Sequence, residues 1–227
     1  MATALRESPD WEVLRQGTPA AGPGLSPDVF RQAYVSMGLT PDSCPVVGVT
    51  SSIRGEGRTT AAVGLASTLS SDLGMRVLLV EVDIERPALA QRFGLPQGPG
   101  LVDALREGGH ILDVMRPVTE TLSVVTGGAA SPETPRILHQ LPRRDPFHGY
   151  NGGPEITILD LPPIMNYSYG PLAARIADAV LLVVRAGVTP SDIVREAVAR
   201  LEDRPPRGVI LNGARSVLPP WWPDSVR

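Results

Sequence analysis

Ser51-Ser52-Ile53-Arg54-Gly55-Glu56-Gly57-Arg58-Thr59-Thr60 separates the apolar run Val46-Val47-Gly48-Val49 from a segment in which Ala62, Leu65, Ala66 and Leu69 recur at helical spacing. A glycine-rich turn between a buried strand and a helix is built to hold phosphate. Glycines let backbone N–H groups turn inward, and the helix N-terminus adds a positive field. The usual pattern is G-x-x-x-x-G-K-[ST]. Here Ser52 stands at the first glycine and Arg58 at the lysine, while Thr59 keeps the hydroxyl that such loops place on Mg²⁺.

Outward from this loop, apolar runs alternate with helical patterns. Val77 to Val82, Leu122 to Thr126, Ile156 to Leu159, Val180 to Val184 and Val209 to Leu211 read as further buried strands. Ile193, Val194, Ala197, Val198 and Leu201 form the apolar face of a helix starting at Thr189-Pro190, between the last two. Strands apolar throughout and joined by helices predict an α/β, doubly wound, mostly parallel sheet covered on both faces. Ligands gather at the carboxyl ends of such strands. Strand two ends in Glu81-Val82-Asp83 and strand four in Asp160-Leu161-Pro162-Pro163. Acidic residues there can hold Mg²⁺ or orient an attacking hydroxyl, so Glu81, Asp83 and Asp160 are the candidate catalytic acids.

The flanks divide the chain. Residues 1–25, rich in Pro, Gly and Ala, read as a flexible arm, with Trp11 as an incidental surface contact or an anchor on a partner. Residues 26–214 form the nucleotide-binding domain, opened by a helix with Ser26 as cap, Pro27 at its first position and Val29, Phe30, Ala33 and Tyr34 on one side, stopping near Gly38. Leu138 to Pro154, with Pro142, Arg143, Arg144, Pro146, Gly152, Gly153 and Pro154, reads as an irregular surface loop in which no long helix survives. Residues 215–227 form a Pro/Trp-rich tail, with Trp221 and Trp222 packed back on the domain or docked on a partner.

Composition bounds the function. The 227 residues carry a net charge of −3, which argues against a broad grip on nucleic acid. Cys44 is the single cysteine, so neither a disulfide framework nor a cysteine metal site is available, and a reducing cytoplasm fits. The N-terminal segment lacks the apolar run of a signal peptide, and no stretch is long enough to span a membrane. All 21 basic residues are arginine; the chain has no lysine.

Five motifs taken together resemble the cytoplasmic kinase domain of bacterial tyrosine kinases, in the MinD/ParA-like branch of P-loop proteins. Members read roughly SSxPGEGKTT, LLIDADLRRP, IIDTPP, LLVVRAG and a closing strand ending in LN. This chain reads SSIRGEGRTT, VLLVEVDIERP, ILDLPP, LLVVRAG and VILNG in the same order, over about residues 26 to 214. Arg92-Phe93-Gly94-Leu95-Pro96 and Pro99-Gly100-Leu101-Val102-Asp103 also look like the family's RFGLP and PGLxD. The resemblance implies a P-loop NTPase fold, ATP or ADP with Mg²⁺, and a role in capsule or exopolysaccharide assembly. It implies that Gly55, Glu56, Gly57, Arg58, Thr59 and Thr60 cradle phosphates, that Asn212 meets the adenine, and that Thr59, Asp83 and Asp160 hold the metal. The implied partners are nucleotide, a membrane adaptor of polysaccharide export that recruits the protein to the inner face of the membrane, and further copies of the chain.

Departures cluster on the chemistry. Arg58 replaces the lysine that bridges phosphates; its planar fork still binds anions but is not a compact point charge. Glu81 replaces an aspartate, Glu85 an arginine, and Tyr169 stands where the family usually has an aspartate. The oligomerising E-x-x-R-x-x-R reads Asp28, Arg31, Tyr34, and the last tyrosine is Tyr169, so no tyrosine-rich tail is present to accept phosphate. These changes point to a catalytically impaired regulator or scaffold. The rivals are an active ATPase or tyrosine kinase using Arg58, a MinD/ParA-like positioning ATPase (which lacks its early lysine here, at Ile53 and Arg54), and an interaction module without nucleotide. The placement of Arg58 bears on all of them: reaching into the loop it binds phosphate, folded across it closes the site.

Overall fold

A computed structural model describes residues 25–39, 44–106, 108–129, 132, 134–144, 146–147, 153–202 and 204–214. The arm with Trp11, the Trp221-Trp222 tail and part of the loop expected before Pro154 lie outside the described residues. The elements, in chain order, are α1 (Pro27–Ser36), β1 (Val46–Ser51), α2 (Arg58–Ser71), β2 (Val77–Glu81), α3 (Leu89–Arg92) and α4 (Leu101–Arg106). They continue as β3 (Arg116–Pro117), β4 (Leu122–Val125), α5 (Thr134–Arg144), β5 (Ile156–Asp160), α6 (Gly170–Ala174), β6 (Ala179–Arg185), α7 (Ser191–Arg200) and β7 (Gly208–Asn212).

The strands form one sheet in the order β3-β4-β2-β5-β1-β6-β7. All neighbours run parallel except β3, a two-residue antiparallel edge strand on β4. The sequence reading missed β3, which is too short to show periodicity and contains Pro117. β1, β2 and β5 are buried along their whole length, as their unbroken apolar runs require. Val47, Val49, Leu79, Ile158, Leu181 and Val183 face α1 and α2 through Phe30, Leu65 and Leu69. Leu78, Val80, Leu159 and Val180 face the opposite layer, built from Leu101, Leu138, Leu141, Ala197 and Leu201.

Two expectations need correction. Thr134–Arg144 is a helix, not an irregular loop. Pro135 sits in its first turn, where a missing N–H costs nothing, and Pro142 is third from the end. Burial of Ile137, Leu138 and Leu141 outweighs the one helical bond that Pro142 cannot donate. Ser26 precedes α1 as expected, but its hydroxyl makes no capping bond, leaving Pro27 as the start signal. Arg31, in the stretch compared with the oligomerising motif, is bound within the chain, 2.6 Å from Asp28 and paired with Asp72 at the end of α2.

Candidate nucleotide site

Three adjacent parallel strands deliver the site. Asp160 ends β5 beside Val49 of β1 and Glu81 of β2, because the registers pair Val49 with Asp160 and Glu81 with Asp160. The backbone N–H groups of Val82 and Asp83 then donate to the Asp160 carbonyl at 3.0 and 3.2 Å, which sets Asp83 next to Asp160. The loop after β1 turns through Gly55 (φ 83°) and Gly57 (φ 91°), left-handed conformations that favour glycine. Gly57 is also the cap position of α2, and it has no side chain to satisfy the first-turn N–H groups. Those donors are what an anion would bind.

Glu56 does not face that anion position. It is 1% exposed, and its carboxylate accepts from Ile53 N at 2.7 Å, Thr189 Oγ1 at 2.6 Å and Arg185 N at 3.2 Å. It therefore fastens the loop to the end of β6 and the turn before α7. Asn212, at the end of β7, donates from Nδ2 to the Glu56 carbonyl at 2.8 Å. Its amide thus holds the same loop from the side on which it was expected to meet adenine.

Glu81, also 1% exposed, serves a second connection. Its Oε1 accepts from the N–H groups of Ala88 and Leu89 (2.9 Å for Leu89), and its Oε2 from Gly127 N at 2.9 Å. Burial raises its pKa above the ordinary carboxylate value despite those three donors. Both oxygens are committed to backbone, so the structure places Glu81 as a brace between the segments after β2 and β4.

Arg58 decides the electrostatics. Its Nε donates to Asp160 Oδ1 at 2.9 Å and its Nη2 to Asp83 Oδ2 at 2.6 Å. The three side chains are 11%, 2% and 5% exposed. Burial alone would lower the guanidinium's pKa; the ion pairs with Asp160 and Asp83 outweigh it and raise it. Burial raises the Asp160 pKa, opposed by Arg58 and by a hydrogen bond from the Thr59 hydroxyl. Arg58 thus turns to the two acids rather than into the turn of Gly55 to Gly57.

Around this core lie further groups, of which sequence reasoning gave no role to Arg92, Arg185 and Tyr167. Arg92 Nη2 donates to the Thr60 hydroxyl at 3.1 Å, and Arg185 Nη1 to the Gly55 carbonyl at 3.4 Å. Arg54 stacks its guanidinium 4.8 Å from the centre of the Tyr167 ring and bonds the Tyr167 hydroxyl. Tyr167 stacks on Tyr169 at 5.1 Å. Ser52 Oγ, Asp83 Oδ1 and the Tyr169 hydroxyl are buried without a partner. Burial, then Asp83 and Glu85, push the Tyr169 phenol up, so it stays neutral. Arg92 and Arg185 sit inside the RFGLP and LLVVRAG stretches, and that was the available signal.

A magnesium ion is implied by the resemblance, and the donor chemistry of Thr59, Asp83 and Asp160 would suit it, since Mg²⁺ prefers oxygen ligands. The arrangement does not fit one. Asp160 Oδ1 and Asp83 Oδ2, oxygens that would be needed to hold the metal, are both already bound by the Arg58 guanidinium. Among the described residues, no group of three or more His, Cys, Asp or Glu side chains could hold a metal. A separate cleft of about 340 Å³, lined by His139, Arg175, Arg200 and Arg204 among others, shares none of these residues.

Comparison with known proteins gives a consistent picture. No family model matches the chain. Tyrosine-protein kinase YwqD of Bacillus subtilis is 27% identical over 173 residues, covering 74% of this chain and 72% of that protein. Succinoglycan biosynthesis transport protein ExoP of Rhizobium meliloti is 26% identical over 193 residues, covering 82% of this chain but only 24% of ExoP. Among solved structures, the kinase domain of Escherichia coli tyrosine kinase ETK superposes with a TM-score of 0.75 at 22% identity, covering 86% of this chain and 77% of that one. The septum site-determining protein MinD of Pyrococcus horikoshii, complexed with Mg-ADP, gives a TM-score of 0.62 at 21% identity, covering 78% and 74%. In its sheet order, its loop between β1 and α2 and these likenesses, the chain has the P-loop NTPase fold and is similar to bacterial tyrosine kinases and, in fold, to the MinD/ParA ATPases.

Proposed function

We propose that this protein is a nucleotide-binding regulator or scaffold of polysaccharide production, related to the bacterial tyrosine kinases but impaired in phosphoryl transfer. The observation that carries the reading is the Arg58 bridge. Phosphoryl transfer is catalysed by positioning and charge stabilisation, with a cation on the phosphates and acids free to hold metal or orient the nucleophile. Here the loop's own cation is spent on Asp83 and Asp160, at 2.6 and 2.9 Å, so neither the cation nor the acids are disposed for that work. The bound loop remains suited to anions: its glycines, the uncapped start of α2 and the flanking arginines are intact.

The similarity to YwqD and ExoP supports the setting. The partners in this reading are ATP or ADP, further copies of the chain, and a membrane adaptor of polysaccharide export. The adaptor would bring the protein to the inner face of the membrane. Among the described residues, no helix is long and apolar enough to cross a membrane. The test is phosphate release and tyrosine phosphorylation by the purified protein in Mg·ATP, beside an intact relative such as YwqD. The expected result is turnover at background; turnover comparable to the relative sinks the proposal.

A further inference from the structure

We propose that the Arg58 guanidinium stands in for the divalent cation, so that this site takes a nucleoside diphosphate or triphosphate without bound metal; the inference rests on the nucleotide-binding reading above.

A metal at such a site has two tasks: neutralising the buried acids and neutralising the phosphates. Arg58 performs the first. Its fork takes one oxygen from each of Asp83 and Asp160, through two different nitrogens, and a planar guanidinium is the cation suited to spanning a pair of carboxylates. It is covalently part of the chain and largely buried, so its local concentration does not depend on solution metal. A Mg²⁺ ion entering between the same oxygens would meet that guanidinium at bonding range, like charge against like.

The second task falls to the rim. Arg54, Arg92 and Arg185 are exposed, and each is attached to the loop or its edge. Arg92 reaches the Thr60 hydroxyl, Arg185 the Gly55 carbonyl, and Arg54 rests on Tyr167. Guanidiniums bind phosphate oxygens in bidentate fashion, so these three supply positive charge beside the loop that a bound metal would otherwise supply. Phosphate would therefore meet loop N–H groups and arginine forks, with the acids already neutralised behind them.

The experiment is calorimetric titration of the purified protein with ADP in EDTA and again in millimolar MgCl₂, together with electron paramagnetic resonance titration of Mn²⁺ alone. The expected result is that the two ADP affinities differ by less than about fivefold, the lower edge of ordinary coupling between ligands. The wild type should show no bound Mn²⁺ that Asp160→Asn removes. Arg58→Lys should bring metal dependence of at least about fivefold, because a compact, strongly hydrated ammonium lacks the planar fork that spans the two acids. ADP binding tightened by about fivefold or more by Mg²⁺ in the wild type overturns the inference, as does a wild-type Mn²⁺ site lost in Asp160→Asn. ADP binding in neither buffer overturns the nucleotide reading itself, and the Mn²⁺ titration then decides on its own whether Arg58 excludes metal. Both primary measurements use the wild type and survive a variant that fails to fold.

Discussion

Replacing Arg58 by alanine should destabilise the protein more than a surface ion-pair deletion would. The guanidinium holds two carboxylates that are 2% and 5% exposed, and among the described residues no other cationic side chain forms an ion pair with them. Breaking a buried pair by removing one partner costs about 3–5 kcal/mol, because a charge is left uncompensated in a poorly solvated place. Against a total stability of about 5–15 kcal/mol, that is about a fifth or more of the margin. The loss has a pH signature. Without Arg58, the burial that raises the Asp160 pKa loses the guanidinium's opposition, so the folded state keeps a proton there to higher pH than the unfolded state does. Stability of the variant therefore recovers as pH falls, by up to about 1.4 kcal/mol per pH unit for each proton taken up. Urea unfolding followed by far-ultraviolet circular dichroism, in EDTA at pH 7 and pH 5, reads both numbers. The triple variant Arg58→Ala/Asp83→Asn/Asp160→Asn removes the buried charges and should regain at least half of the loss. An Arg58→Ala variant within about 0.5 kcal/mol of wild type at pH 7, the range of a surface change, refutes the reasoning. So does a triple variant no more stable than the single one.

Gly57→Ala would put a Cβ against Asn212 Nδ2 while holding φ at 91°. The strained backbone and the lost Asn212 bond to the Glu56 carbonyl should together cost about 2–3 kcal/mol, read as a lowered denaturation midpoint. Glu81 has a folded pKa raised by burial, so the stability it contributes is present below the unfolded value of about 4.3 and is lost as pH rises through the folded value. Glu81→Gln cannot titrate. The stability of wild type minus that of the variant should therefore fall between about pH 4 and neutrality, and a flat or rising difference in urea unfolding would contradict the assignment.

The central strands were legible because apolar residues fill most of their positions, leaving their polar residues mainly at the carboxyl ends. β1, β2 and β5 needed no partner information, and their carboxyl ends pointed to Asp83 and Asp160. What the sequence hid was direction. Glu56 and Glu81 read as members of a phosphate loop and an acidic cluster, yet both turn to backbone N–H groups from distant segments, Arg185 and Gly127. Such bonds depend on strand order, which spacing does not encode. Arg58 was visible as an anomaly; its attachment to two acids 25 and 102 residues away was not. α5 was lost to a rule about proline that holds for exposed helices and yields where three apolar side chains are buried behind it.

The Glu56 anchor has a mechanical consequence. One carboxylate joins the second half of the phosphate loop to the end of β6 and to Thr189, the residue two before α7. A loop of this length on its own would flex independently of the helices; fastened this way, it inherits the stiffness of the sheet and shares its displacements with α7. A partner that pulls on α7 from outside would move the phosphate loop without touching it, and a nucleotide settling into the loop would be felt on that outer helix. The motif first recognisable as a cradle is, in this fold, also one end of a lever.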